Sequence, residues 1–101
     1  MIEIEELSGR VVVTLPEEFS YRMYREFRDI YQHREPGVQY DIDFNLVKII
    51  DSSALGMLLL MYEFCKGNDS RIRLLRCNNR IAGVFVYSSI DTLFEIDQNG
   101  V

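Results

Sequence analysis

Ile49-Ile50-Asp51-Ser52-Ser53-Ala54-Leu55-Gly56 decides the fold, because a β-branched run here gives way to an almost wholly apolar stretch that continues to Met61. Asp and Ser are favoured where a helix begins, since their oxygens accept hydrogen bonds from the unpaired N–H groups of the first turn. We therefore predict a strand that ends before Asp51 and a helix from Ser53 to Cys65. A hydroxyl in this turn is expected to be exposed at the positive end of the helix dipole.

The segments on either side of this turn predict alternating strands and helices. Their order predicts a single α/β domain over residues 1–101, with a mixed sheet of four to five strands, an opening β-hairpin and three to four helices packed on the sheet. Ser20 is expected to cap the first helix, in which Tyr21, Tyr24, Phe27 and Tyr31 have the spacing of core residues. The predicted strands cover residues 2–7, 11–15, 40–44 and 71–75. The other predicted helices cover residues 21–32 and 80–87. Residues 88–96 are predicted to form a helical turn and a last strand.

The composition excludes several classes of partner. A formal net charge of -5 argues against nucleic acid and against an anionic membrane surface. No apolar run approaches the ~20 residues of a spanning helix, so direct membrane insertion is not expected. The acidic, alternating N-terminus does not resemble a signal peptide, and Cys65 and Cys77 form no CxxC pair. We expect a cytoplasmic protein whose two thiols are buried and reduced.

No set of residues suggests catalysis, and the chain is not predicted to be an enzyme. His33 is the only histidine and follows a predicted helix beside charged residues. Asp41 and Asp43 alternate on one strand, but nothing pairs them with a general acid. The sequence holds no Ser-His-Asp set, metal-ligand cluster or glycine-rich phosphate loop, so neither a metal nor a cofactor is expected.

From its residues alone, the central turn has three interpretations. Asp51, Ser52 and Ser53 can simply cap a helix. Ser52 can instead carry a phosphate, which a helix N-terminus tolerates and which adds roughly two negative charges. The turn can also be an anion site for a small molecule or a nucleotide.

The segment from Lys48 to Gly56 resembles the signature of STAS domains, specifically of the bacterial anti-sigma-factor antagonists. The resemblance extends over most of the chain. It implies that Ser52, directly after Asp51, is phosphorylated by a partner-switching kinase and restored by a PP2C-type phosphatase. Ser53 is then a helix-start residue, while Asp51 either caps the helix or also positions Ser52 and contacts the kinase.

Two positions depart from the family pattern. Ala54 stands where the family usually has Gly, and its added methyl group is expected near the partner surface. The loop before the first helix usually reads Gly-x-x-Asp but is Glu17-Glu18-Phe19-Ser20 here. The carboxylates of Glu17 and Glu18 are therefore expected to lie near the phosphorylation site in place of the family's aspartate.

The apolar helix that follows Ser52 lacks a polar face. On a helical wheel we assign one face to the sheet, formed by Leu55, Leu58, Leu59, Tyr62 and Cys65. The outer face, with Met57, Leu60, Met61 and Phe64, is either covered by the first or third helix or forms a docking patch. The predicted partner-binding residues are Asp51, Ser52, Ser53, Ala54, Gly56, Met57, Leu60, Met61 and Phe64.

The resemblance implies a phosphorylation-regulated anti-sigma-factor antagonist. Unphosphorylated, such a protein binds an anti-sigma factor or serine kinase of the GHKL ATPase type, and phosphorylation of Ser52 releases it. ATP and metal would then belong to the partners. The alternative is a STAS-like structural or regulatory subunit of a membrane transport complex, in which Ser52 need not be phosphorylated.

Overall fold

The computed structural model describes residues 1–98, which form one layer of helices on a sheet. The strands are β1 (Glu3–Leu7), β2 (Arg10–Thr14), β3 (Glu18–Phe19), β4 (Gln39–Asp43), β5 (Ile49–Ile50), β6 (Arg71–Leu75) and β7 (Glu95–Asp97). The helices are α1 (Tyr24–Tyr31), α2 (Ser52–Gly67) and α3 (Asn79–Tyr87), with 3-10 turns at Tyr21–Met23 and Ile90–Thr92.

The main sheet has the strand order β1-β2-β4-β6-β7. β1 and β2 form the predicted antiparallel hairpin, and Gly9 in its turn has a φ of 71°, a left-handed value that favours glycine. The other neighbours are parallel, as expected for strands joined through helices. The predicted α/β fold with a mixed sheet of four to five strands is confirmed, and the main sheet has five strands.

Alternate strand residues face the helices and form the core. Val13, Ile42 and Leu74 lie in register on three adjacent strands, and each is completely buried. A chain of aromatic contacts continues this core towards the end of the sheet where α2 begins. Its ring centroids are 5.1 Å apart for Phe19–Phe27, 5.9 Å for Phe19–Phe44 and 5.4 Å for Phe44–Phe85.

The opposite row of strand residues contains a buried carboxylate, Asp41, at the centre of the sheet. Asp41 accepts hydrogen bonds from Arg10 Nε at 2.6 Å, Gln39 Nε2 at 3.0 Å and Arg73 Nε at 3.2 Å. Burial raises the pKa of Asp41, but the hydrogen bonds from Arg73, Gln39 and Arg10 outweigh it and hold this pKa below its usual value. One carboxylate thereby joins β2, β4 and β6.

The first helix differs from its predicted bounds. Ser20 is the predicted cap, and its hydroxyl accepts a hydrogen bond from Arg22 N at 3.4 Å. The turn that it caps is a 3-10 turn, however, and regular α-helix begins only at Tyr24. Phe27 and Tyr31 are buried as predicted, whereas Tyr24 is half-buried and Tyr21 is 65% exposed. The assignment of Tyr21 to the core is wrong because the 3-10 turn rotates its side chain away from the stripe of α1.

We predict that Asp41→Asn lowers the free energy of unfolding by about 2–3 kcal/mol, since it removes the charge on which two arginines converge. Urea unfolding at pH 7 with an unchanged m-value would measure this loss. The exposed Glu95→Gln is the matched control and should change stability by less than about 0.5 kcal/mol.

The difference in unfolding free energy between wild type and Asp41→Asn is predicted to depend on pH. A carboxyl whose pKa is depressed in the folded state stabilises it above the unfolded pKa of about 3.9, and this contribution is lost as the pH falls towards the folded pKa. The stability difference between wild type and Asp41→Asn should therefore narrow below about pH 4. A difference that stays constant from pH 7 to pH 3 would contradict this role for Asp41.

Candidate functional site

The candidate site begins at Asp51, which caps α2 as the sequence predicts. Asp51 has extended backbone, with φ -107° and ψ 174°, and its Oδ1 accepts a hydrogen bond from Ala54 N at 2.8 Å. The helix therefore starts at Ser52, one residue earlier than predicted, and runs for 16 residues.

Ser52 and Ser53 are both exposed in the first turn of α2. Because Asp51 caps the helix, the Ser52 hydroxyl is not used as a cap, and it has no hydrogen-bond partner among residues 1–98. The unpaired N–H groups and the positive end of the helix dipole lie beside it. The Ser52 oxygen is thus accessible in an environment that stabilises a negative charge.

A small second sheet holds the strand that leads to Asp51. β3 pairs with β5 in parallel. The sequence predicts the strand before Asp51 but not its partner, because β3 is only two residues long and lies much earlier in the chain. The Glu17 carbonyl accepts hydrogen bonds from Lys48 N at 2.7 Å and Ile49 N at 3.0 Å. On the other side, Arg80 Nη2 of α3 donates to the Lys48 carbonyl. The approach to Ser52 is therefore fixed from two directions.

The carboxylates of the Glu17-to-Ser20 loop have partners of their own. Glu17 Oε1 lies 3.3 Å from Lys48 Nζ, and Glu18 Oε2 accepts a hydrogen bond from the Ser20 hydroxyl at 2.7 Å. The loop lies beside the strand that precedes the site, but these contacts direct both carboxylates to neighbours other than Ser52.

The face of α2 that packs on the sheet differs from the predicted one. The fully or nearly buried residues of α2 are Ala54, Met57, Leu58, Met61 and Cys65. Leu59, which was assigned to the sheet, is 40% exposed, and Leu55 and Tyr62 are half-buried. The predicted buried face is rotated about the helix axis relative to the observed one. An almost uniformly apolar helix has no polar stripe that marks its outer side.

This rotation corrects four of the predicted partner-binding residues. Ala54 and Met61 are completely buried and Met57 is 4% exposed, so none of the three presents a free surface. The Ala54 methyl group packs in the core and not at a partner surface. Phe64 is half-buried, with its ring centroid 5.2 Å from that of Tyr31, so α1 covers it.

Three of the five remaining predicted residues line a groove between the Tyr21–Tyr31 segment and α2, and the other two, Asp51 and Ser52, directly precede it in the chain. Ser53, Gly56 and Leu60 line it together with four residues that sequence reasoning had not assigned to the site, Tyr21, Tyr24, Leu59 and Glu63, and the buried Met57 forms its floor. Its volume is about 490 Å³. Leu60 is 53% exposed, far more than a core leucine. We call this surface the α1–α2 groove; it starts beside Ser52 and runs along α2.

The chemistry of the described residues is limited. Asp43, like Asp41, is paired with arginine: its carboxylate accepts hydrogen bonds from Arg76. Burial raises the pKa of Cys65 and of Cys77 to about 12, and both thiols are free. Residues 1–98 hold no group of three or more His, Cys, Asp or Glu side chains placed to bind a metal ion. None of the helices in this range is long and apolar enough to cross a membrane.

Comparison with known proteins places this arrangement in a family. The family model described as "Mlab, STAS domain" matches residues 2–95. The chain belongs to the STAS domain family. A STAS-domain containing protein of Pseudomonas aeruginosa is 32% identical over 79 residues, which cover 77% of this chain and 78% of the relative. STAS domains are regulatory binding domains and not catalytic ones.

Solved structures with this fold come from two kinds of protein, an anti-sigma factor antagonist and a sulfate transporter family protein. The phosphorylated form of the Bacillus cell fate determinant SpoIIAA, described elsewhere as an anti-sigma factor antagonist, has a TM-score of 0.71 at 20% identity, over 95% of this chain and 90% of that chain. A sulfate transporter family protein from Wolinella succinogenes has a TM-score of 0.80 at 14% identity, over 94% of this chain and 81% of that chain. The fold is therefore shared by antagonist proteins and transporter domains.

We predict that Asp51→Ala lowers the free energy of unfolding by about 1 kcal/mol, because Ala54 N loses its side-chain acceptor. Asp51→Asn, whose side-chain oxygen can accept the same hydrogen bond, should stay within a few tenths of a kcal/mol of wild type. Urea unfolding of the three proteins measures both differences. Equal stability of Asp51→Ala and wild type would show that the cap does not stabilise α2.

Proposed function

We propose that this protein is a phosphorylation-regulated anti-sigma-factor antagonist of the cytoplasm. When Ser52 is unphosphorylated, the protein binds an anti-sigma factor or serine kinase of the GHKL type through Ser52, Ser53 and the α1–α2 groove. Phosphorylation of Ser52 releases the partner, and a PP2C-type phosphatase restores binding. The observation that carries the proposal is that the exposed Ser52 directly precedes Ser53, which lines one end of an apolar groove.

The geometry favours a switch that works by charge and bulk. Asp51 makes the capping hydrogen bond, so a phosphate on Ser52 breaks no contact within residues 1–98. The phosphate adds roughly two negative charges at the edge of the docking surface. A partner that fills the groove is then repelled, and a loss of ~3 kcal/mol in binding weakens affinity by more than a hundredfold. The domain need not refold for this to happen.

The family resemblance of the Lys48-to-Gly56 segment and the antagonist structures with the same fold support this proposal. The transporter neighbour with a TM-score of 0.80 supports a second candidate, a regulatory subunit of a membrane transport complex. In that case the groove would hold a permanent neighbour, and Ser52 would remain unmodified.

The first test is the modification itself. The protein is purified from its own cells and also incubated with ATP and the GHKL-type serine kinases encoded in the same genome. Mass spectrometry of the intact chain and of its peptides should find one phosphate, on Ser52. Ser52→Ala should abolish it, while Ser53→Ala, the adjacent control, should keep it. An unmodified chain in both settings would favour the transport subunit.

The second test is partner binding. With a kinase that modifies Ser52, Ser52→Ala should bind as tightly as the unphosphorylated wild type, and Ser52→Asp should bind at least tenfold more weakly. Calorimetric titration measures the affinities, and circular dichroism checks that the variants are folded. Equal affinity of Ser52→Asp and Ser52→Ala would rule out a charge switch at this position.

A further inference from the structure

The two walls of the α1–α2 groove differ in charge. The wall on the first helical segment carries Tyr21 and Tyr24, whose rings stack with centroids 5.7 Å apart. The guanidinium carbon of Arg28 lies 5.5 Å from the centroid of the Tyr24 ring. Arg25 lines a hollow of about 280 Å³ that shares both tyrosines with the groove. The far wall, on α2, ends at Glu63.

Of the two acidic residues of α1, Glu26 points away from this wall, and Asp29 lies at i+4 from Arg25, farther round the helix from Tyr24 than either arginine. At 100° per residue, Arg25 and Arg28 fall within about 60° of each other on the flank that Tyr24 marks as the groove side. Glu26 lies on the opposite flank, where its Oε2 accepts a hydrogen bond from Ile2 N at 2.9 Å. The arginines therefore form a positive edge along one side of the groove.

Neither arginine of this positive edge forms an ion pair within the described part of the chain. The ion pairs of residues 1–98 engage Arg10, Arg34, Lys48, Arg73 and Arg76, and none engages Arg25 or Arg28. Arg25 is exposed, and Arg28 Nε is buried without a hydrogen-bond partner. The exposed Arg25 guanidinium is therefore available to a carboxylate supplied from outside.

We infer that the α1–α2 groove accepts an amphipathic helix whose apolar side chains enter the groove and whose carboxylates face Arg25 and Arg28. The inference rests on the proposed function, because it describes the partner segment that would dock beside Ser52. A helix is the suitable form, since two helical segments form the walls and offer no sheet edge to an extended strand. A second copy of this chain is disfavoured as occupant by the net charge of -5 on each molecule.

The charge of the groove wall also gives the switch its physical basis. Ser53 lines one end of the groove, and Ser52 precedes it. A phosphate at Ser52 competes for the same arginines and repels the carboxylates of the bound helix. Phosphorylation of Ser52 should therefore lower the affinity for an acidic segment more than it lowers the affinity for a neutral segment of the same shape.

Three synthetic 16-residue helical peptides test the inference. They share leucines at i, i+3 and i+7, and they carry Glu, Gln or Lys along one flank. Fluorescence anisotropy with the unphosphorylated full chain should give the tightest binding for the Glu peptide, about fivefold tighter than the Gln peptide, as expected for two partly exposed ion pairs. The gap should shrink in 0.5 M salt. Bulk charge alone predicts the reverse order, because the protein is acidic.

Charge reversal locates the effect. Arg25→Glu should remove the preference for the Glu peptide and favour the Lys peptide, whereas Arg71→Glu, an equal charge change on the exposed β6 residue, should leave the order unchanged. Ser52→Asp should reduce the affinity for the Glu peptide about threefold more than it reduces the affinity for the Gln peptide. Equal binding of the three peptides, binding of none, or an Arg25-independent homodimer in light scattering would overturn the inference.

Substitution of Gly56 separates an effect on peptide affinity from an effect of misfolding, because the variant is expected to be more stable than wild type. A Cβ atom built at Gly56 meets nothing within 4 Å, so Gly56→Ala should be accommodated and should raise stability by the greater helix propensity of Ala. The added methyl group narrows the groove, and the Glu peptide should bind at least threefold more weakly to the more stable protein. Unchanged affinity would show that the peptide lies elsewhere. Since no step uses a kinase, an absent phosphate at Ser52 would count against the proposed function and not against the groove.

Discussion

The orientation of α2 on the sheet is the constraint on which the rest of the site depends. Ala54, Leu58, Met61 and Cys65 are spaced by three or four residues and fill one stripe against the sheet. Once that stripe is buried, the rotation of every other residue on the helix is fixed. Ser52 is left outside, and Gly56 and Leu60 are turned towards the groove. A helix rotated by one residue would bury a different set and dismantle this surface.

Two sets of hydrogen bonds outside the groove stabilise the sheet and the strand next to α2. The Asp41 carboxylate joins three strands of the sheet on the side away from the core. The pairing of β3 with β5, supported by the Glu17 carbonyl, fixes the strand that leads into Asp51. The first stabilises the sheet on which α2 packs, and the second stabilises the strand that precedes α2, so neither uses the exposed residues around Ser52.

The groove combines apolar surface with an asymmetric charge pattern. Apolar side chains on its floor provide affinity for another apolar surface, whereas charges at its edges select between partners and set their orientation. In an acidic protein, two unpaired arginines beside a tyrosine pair form a local exception. A phosphate placed at one end of the groove changes the same electrostatic balance, which would link modification to recognition.

Local signals in the sequence are enough to predict the order of the main strands and helices and to place the start of α2 within one residue. Alternation in the strands, the Gly9 turn and the Asp51 cap are local signals, and each acts within a few residues of chain. The strand before Asp51 is predicted from its β-branched residues, but its pairing with β3 is not, because β3 is too short to show a pattern and the contact is nonlocal. Tyr21 was misassigned because a 3-10 turn does not follow the helical spacing that its position suggested.

The side of α2 that faces outwards is set by tertiary packing and not by the local sequence. The residues of that helix are almost all apolar, so their order contains no signal for its rotation. Burial of Met57 and Met61, exposure of Leu59 and the covering of Phe64 by Tyr31 follow from how α1 and the sheet meet around α2. The position of Ser52 in the first turn of α2 therefore follows from a local cap, whereas the groove beside it is set by packing between distant segments.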